Sequence, residues 1–235
     1  IFRNFDFDDS MLVDVYTTIV RETAYSANDW RSGFDSKENL KELLKFRFLT
    51  RIFGDGTSAS ASIQAIYARL SSVPRIRTND QFWLQYAMSS MESEDTAAAE
   101  KSINTALGIA HKKGANYSNH QILDQQARVL LLKNAKKSGQ PNTDEVVVAL
   151  TNLETTLGST GSVEKIHPMR AAPFLLRLAE EKIDFLDSSL RQRMLQIVSK
   201  MQGVIAAENL IKTRRGEVEK MKKILLDTTL VLKNA

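Results

Sequence analysis

The clearest structural signal in this sequence is residues 83–106, which read WLQYAMSSMESEDTAAAEKSINTA. Large and small apolar side chains recur in this segment at helical spacing: Trp83, Tyr86, Ala87, Ala99, Ile103 and Ala106. Residues three or four positions apart share one face of a helix. Small residues on two such faces let antiparallel helices approach closely, and the large residues fill the remaining space. The segment therefore predicts a helical hairpin.

Helical periodicity continues through most of the chain, interrupted by glycine, proline and polar capping residues. Helices are predicted over these approximate ranges: 10–24, 36–53, 58–70, 80–91, 96–113, 118–137, 143–157, 172–185, 190–204 and 221–231. A break is expected near Glu208–Gly216. Strand signals are scarce, since the β-branched run Val146–Val148 sits within helical spacing. The predicted fold class is all-α, an array of antiparallel helical hairpins with about ten helices and about 40 residues per pair.

Composition excludes several classes of protein. The 235 residues are 43% hydrophobic, which is too apolar for a disordered tail. The absence of cysteine excludes a disulfide scaffold, a thiolate metal site and a cysteine nucleophile. No apolar run reaches the roughly 18 residues that a membrane span needs, so no membrane contact is expected. The sequence starts at Ile1 without a signal-peptide pattern, and we expect a piece of a longer cytoplasmic protein.

The hairpin at residues 83–106 resembles a tetratricopeptide unit. That unit reads W-x2-L-G-x2-Y in its first helix and A-x3-F-x2-A in its second. Trp83, Ala87, Ala99 and Ala106 match the pattern, whereas Ser90 stands where tyrosine is usual. Ordinary packing of two antiparallel helices is the alternative interpretation, and it predicts the same local geometry.

A broader resemblance rests on five stretches: Leu44–Phe53, Ile66–Leu70, Asp80–Ala87, Gln121–Leu131 and His167–Arg170. Their order resembles the C-terminal helical region of large bacterial anti-phage defence proteins. Those proteins carry a STAND-type P-loop NTPase, a sirtuin-like domain or a TIR effector domain upstream. The resemblance implies that this chain is the sensor or oligomerisation arm of such a protein. It also implies that the catalytic residues lie upstream, so none is assigned here.

Three regions are predicted along the chain. Residues 1–35 form an acidic N-terminal segment, which belongs either to this domain or to the end of a preceding one. Residues 1–40 carry a net charge of −4 in a chain whose total is +4, so the remainder carries +8. Residues 36–160 are predicted to form the tetratricopeptide-like array. Residues 161–235 follow a glycine-rich linker and are predicted to form further hairpins with long amphipathic helices.

Motifs for chemistry are missing from the sequence. The glycine-rich segments 54–58 and 158–162 lack the Lys-Ser/Thr pair that a phosphate-binding loop requires. The three histidines do not have the spacing of metal ligands: His111, His120 and His167. No G-x-S-x-G motif supplies a nucleophilic serine. We therefore assign no catalytic residue, no cofactor and no metal, and we expect that this chain is not an enzyme.

Basic residues are the candidates for partner binding: Arg170, Lys212, Arg214, Arg215 and Lys220. Arg170 presents a bidentate donor for a carboxylate or a phosphate, although a salt bridge to a neighbouring helix is the preferred interpretation. The other four belong to a basic stretch at 212–223 that lacks aromatic residues for base stacking. A solvated helix face is the preferred interpretation of that stretch, and nucleic-acid contact through phosphates is the alternative.

The sequence favours a non-catalytic role in protein–protein interaction. We expect a sensor or oligomerisation region of a larger bacterial defence-type protein, which contacts a protein partner or a second copy of itself. A free-standing helical adaptor or scaffold is the first alternative. The second, less favoured alternative is a nucleic-acid-binding helical domain that uses the basic C-terminal helices.

Overall fold

The computed structural model describes residues 67–68, 71, 77–114, 117, 119–158, 169–207 and 215–234. Within these ranges the chain forms seven α-helices and no strand, which confirms the all-α prediction for this part of the protein. The helices are α1 Asp80–Glu92, α2 Thr96–Lys112, α3 His120–Lys136, α4 Thr143–Leu157, α5 Ala172–Lys182, α6 Ser188–Ala207 and α7 Arg215–Lys233. The helices predicted before residue 70 lie outside the described residues, apart from 67–68, which are helical.

The helix ends follow local capping chemistry. The Asn79 side chain accepts hydrogen bonds from the amides of Gln81 and Phe82, and so caps α1. Asn142 caps α4 in the same way. Asparagine suits both positions, because its side chain satisfies amides that have no partner inside the helix. Gly114 follows α2 with φ +97°, a left-handed conformation that glycine adopts without strain.

The chain divides into two compact units, residues 1–112 and residues 113–235. In the first unit α1 and α2 pack against each other. Ala87, Ala99, Ile103 and Ala106 are completely buried. These helices therefore form the hairpin predicted from residues 83–106, with the small residues buried as expected.

In the second unit α3 and α4 form another antiparallel hairpin. Asn152 donates to the Gln126 side chain at 2.8 Å. Further along the pair, Lys133 in α3 contacts Glu145 in α4 at 2.9 Å. Because the residue number rises along one helix while it falls along the other, the two helices run in opposite directions.

In this unit, helices that are two apart in chain order also pack on each other, as do the consecutive helices α6 and α7. α5 contacts α3 and α7, and α6 contacts α4 and α7. The ammonium of Lys182, at the end of α5, donates to the Lys137 carbonyl, which follows α3. The C-terminal ends of α3 and α5 therefore lie together. All five helices contribute to one apolar core, including Leu131, Leu150, Leu175, Met194 and Leu225.

The long amphipathic helix predicted after residue 190 is present as α6. Leu190, Met194, Ile197 and Met201 are buried, as their spacing of three and four residues requires. α6 ends at Ala207 and α7 begins at Arg215, so the predicted break falls mainly on residues outside the described ranges. The helix predicted over 172–185 ends earlier, at Lys182, and continues as the 3-10 turn Ile183–Phe185.

Candidate partner-binding surface

Two of the five predicted binding residues have described side chains, and they belong to different helices. Arg170 is exposed two residues before the start of α5, and Lys220 is exposed on α7. Arg215 is the first residue of α7. The side chain of Arg215 and the whole of Lys212 and Arg214 lie outside the described part of the structure.

Arg170 lies close enough to α3 for its charge to act on Arg128. Arg128 forms an ion pair with Asp124 one turn earlier in the same helix, and both residues are buried. Burial, and then repulsion from Arg170, lowers the pKa of Arg128 to about 9. Over the described residues Arg170 has no ion-pair partner, so the predicted salt bridge to a neighbouring helix is not seen there.

α7 has one buried face and one exposed face. The buried face follows a seven-residue repeat: Val218, Met221, Leu225, Thr228 and Leu232. On the opposite side Leu226 and Leu230 are 54% and 50% exposed. Residues four positions apart on a helix are neighbours, so the two leucines form one small apolar stripe.

Lysines surround this apolar stripe. Lys222, Lys223 and Lys233 are exposed and project from the same side of the helix. We call these three lysines, together with Leu226 and Leu230, the α7 outer face. Two acidic residues lie beside it: Glu219, paired with Lys222 at 2.9 Å, and Asp227, one turn after Lys223. Three lysines against two carboxylates leave this surface with a net positive charge. Lys220 lies at its edge.

Sequence reasoning missed Leu226 and Leu230, although a signal was present. The predicted last helix carries Met221, Ile224, Leu225 and Val231, and these residues are buried or half-buried. Leu226 and Leu230 fall outside the seven-residue repeat of the buried face. Two leucines on the polar side of an amphipathic helix are the feature that marks this surface.

The aromatic residues at the start of α1 and the histidines lie away from the α7 outer face in the sequence. Phe82 is completely buried and Trp83 is buried, with its indole donating to the Arg77 carbonyl at 2.8 Å, so both belong to the hairpin core. His111 lies in the last turn of α2. His167 is outside the described residues.

In the described part of the chain, no group of three or more histidine, aspartate or glutamate side chains is arranged to hold a metal ion. None of the described helices has the length and apolar character to cross a membrane. Comparison with known proteins gives no match: no family model, curated protein or solved structure is significantly similar to this sequence.

Proposed function

We propose that this chain is a non-catalytic protein-interaction region that binds a protein partner through the α7 outer face. The observation that carries the proposal is the exposed pair Leu226 and Leu230, set among lysines on a helix whose other face is buried in a core. Exposed leucines gain free energy when a partner removes them from water. Apolar residues with a charged rim are typical of protein–protein interfaces.

The contacts within residues 113–235 support an array of helical hairpins as the scaffold. The Lys182–Lys137 bond joins residues 45 apart, and Arg193 in α6 bonds α4 side chains 39 and 42 residues earlier. α5 packs on α3 and α6 packs on α4, as expected when a second pair of helices about 40 residues further on stacks on the first. Within the described residues, α5 and α6 pack on that first pair and on α7 rather than on each other. The spacing exceeds the 34 residues of a tetratricopeptide unit, so we restrict the tetratricopeptide comparison to the α1–α2 hairpin.

We also propose a wider context, in which this region is the sensor or oligomerisation arm of a larger bacterial defence-type protein. Its support is the resemblance carried by stretches between residues 44 and 170. Sequencing the complete coding region tests it. We expect an upstream STAND-type NTPase, sirtuin-like or TIR domain. A complete gene without any of them would contradict this context and leave the free-standing adaptor or scaffold.

Nucleic-acid binding is the second candidate function, favoured by the lysines of α7. Lysines bind phosphates, and such binding weakens steeply with added salt. The α7 outer face carries leucines rather than the aromatic side chains on which bases stack. A mobility-shift assay with duplex DNA and with RNA at two salt concentrations tests this candidate. Absence of a shift at low salt would reject it.

Site-specific photocrosslinking in cells of the source organism tests the proposed protein-interaction role. A photoreactive amino acid at position 226 is expected to capture a protein partner. The same amino acid at position 148 is the matched control, because Val148 is an apolar residue of α4 that is 43% exposed. Absence of a protein adduct at 226, or equal capture at 148, would contradict the assignment of the α7 outer face.

A further inference from the structure

We infer that the segment which binds the α7 outer face is an acidic amphipathic helix rather than a second copy of this chain. The inference rests on the proposed function and specifies its partner. It depends on three features of the described residues: the spacing of the exposed leucines, the position of the lysines around them, and the consequence of pairing α7 with itself.

The leucine spacing fits a helical partner. Leu226 and Leu230 are one turn apart, so their exposed side chains line up along the helix axis. A second helix with apolar residues three and four positions apart can lay its own stripe over them. The aliphatic stems of the flanking lysines extend the apolar area on either side.

The lysines select the charge of that partner. Lys223 precedes Leu226 by three residues and Lys233 follows Leu230 by three residues, so positive charge lies at both ends of the stripe. At a rise of about 1.5 Å per residue, the two lysines are about 15 Å apart along the axis. A helix with carboxylates about three turns apart, on either side of an apolar stripe, can meet both charges. Such complementarity selects an acidic partner and disfavours a basic one.

Self-association through this face brings like charges together. In a two-fold antiparallel pair, Leu226 of one chain faces Leu230 of the other, and Lys223 then faces Lys233. In a parallel pair, each lysine faces the same lysine of the second chain. Glu219 already pairs with Lys222 within α7. Like charges at such an interface oppose pairing, so this surface is better suited to a different, acidic chain.

A pair of designed peptides tests the inference directly. The first is a fluorescein-labelled helical peptide with leucines at three- and four-residue spacing and glutamates on either side. The second has the same sequence with every glutamate replaced by lysine. Fluorescence anisotropy with the full chain should show the acidic peptide binding more tightly by about tenfold or more, which corresponds to about 1.4 kcal/mol.

Three variants of the full chain locate the binding. The double variant Leu226→Ser/Leu230→Ser should weaken the acidic peptide by about tenfold, because the apolar contact is lost. Lys223→Glu/Lys233→Glu should reverse the preference between the two peptides. Val148→Ser is the matched control and should leave both affinities within about twofold. Circular dichroism should show unchanged helicity, since all the altered side chains are exposed.

Several results would overturn the inference. One is equal binding of the two peptides or no binding of either. Another is acidic-peptide affinity that survives the double serine substitution. A third is displacement of the peptide by DNA of equal charge as effectively as by unlabelled peptide, which would indicate general binding of polyanions. A fourth is a dimer, detected by light scattering, that the serine double variant dissociates.

The two proposals can fail separately. If a photoreactive residue at position 226 captures a partner that has no acidic helix, protein interaction stands and the acidic partner is wrong. If neither that residue captures a protein nor the acidic peptide binds, both proposals are wrong.

Discussion

Asn134 joins the end of α3 to the start of α4. Its side-chain amide donates to the Leu130 carbonyl and to Glu145, each at 2.9 Å. Its side-chain oxygen accepts from the Asn142 amide at 2.7 Å. Asn134 is completely buried, so these partners replace the water that the polar group loses on folding.

We expect Asn134→Ala to lower the free energy of unfolding by about 2 kcal/mol. The substitution leaves the Asn142 amide and the Leu130 carbonyl without the side chain that bonds them. Urea denaturation followed by circular dichroism measures the change. Lys136→Ala, an exposed change in the same helix, should have an effect within about 0.5 kcal/mol. Equal effects of the two substitutions would contradict the structural role of Asn134.

The Arg193–Glu154 pair connects α6 to α4. Arg193 donates from Nε and Nη2 to the two carboxylate oxygens of Glu154, at 2.8 and 2.6 Å, and from Nη2 to Thr151 at 2.7 Å. The hydrogen bonds from Arg193 hold the pKa of Glu154 below its ordinary value of 4.5. Both side chains are partly exposed, so the pair contributes modestly to stability.

The lowered pKa of Glu154 predicts a pH-dependent contribution to stability. A carboxylate whose pKa is lower in the folded protein than in the unfolded chain stabilises the fold at pH values above the unfolded-state pKa. That stabilisation is lost as the pH falls through the folded-state pKa. Wild-type protein should therefore melt at a higher temperature than Glu154→Gln at neutral pH, and the difference should shrink as the pH falls below 4.5. Thermal melts at several pH values test this.

The control for Glu154 is Glu180→Gln, an exposed change on α5. It should show a smaller difference from wild type at neutral pH. A Glu154→Gln difference that stays constant, or grows, on acidification would contradict the role of the carboxylate.

At the scale of elements, the α1–α2 hairpin depends on alanines where the helices meet. Ala87, Ala99 and Ala106 have no exposed surface. Interiors are packed so closely that a larger side chain at such a position forces its neighbours to move. Ala97 is exposed in the first turn of the same α2 helix, so it provides a comparison for the same chemical change.

Ala99→Leu should destabilise the protein by about 2 kcal/mol, because three extra carbon atoms enter a filled interior. Ala97→Leu should change stability by less than about 0.5 kcal/mol, since its side chain extends into water. Urea denaturation of the two variants separates the effect of packing from that of helix propensity. A loss of stability in Ala97→Leu as large as that in Ala99→Leu would show that the hairpin does not restrict position 99.

At the scale of the molecule, the five helices of residues 113–235 share one apolar core. We expect a fragment covering these residues to remain helical and to unfold in one cooperative urea transition. Within it, Leu150→Ala should cost about 2–5 kcal/mol, because Leu150 is completely buried. The nearby exposed change Val148→Ala should cost much less. A fragment without a cooperative transition would show that this core requires residues before 113.

Local features of the fold were predictable from the sequence because neighbouring residues determine them. Asn79 and Asn142 cap helices through bonds to amides two and three residues away. The spacing of Leu190, Met194 and Ile197 defines the buried side of α6. The sequence of one helix is enough to identify its buried side, because the spacing of its apolar residues specifies which face is apolar.

Tertiary packing decided what the sequence pattern left open. Periodicity shows that a helix has an apolar face, but it does not show which helix covers that face. α5 and α6 cover the side of α7 that includes Leu225, and they leave Leu226 and Leu230 in water. The proximity of Arg170 to Arg128 likewise depends on contacts between residues distant along the chain. For the seven described helices, the sequence alone determined that they form and which side is apolar. The candidate binding surface depends on which neighbouring helices cover that side.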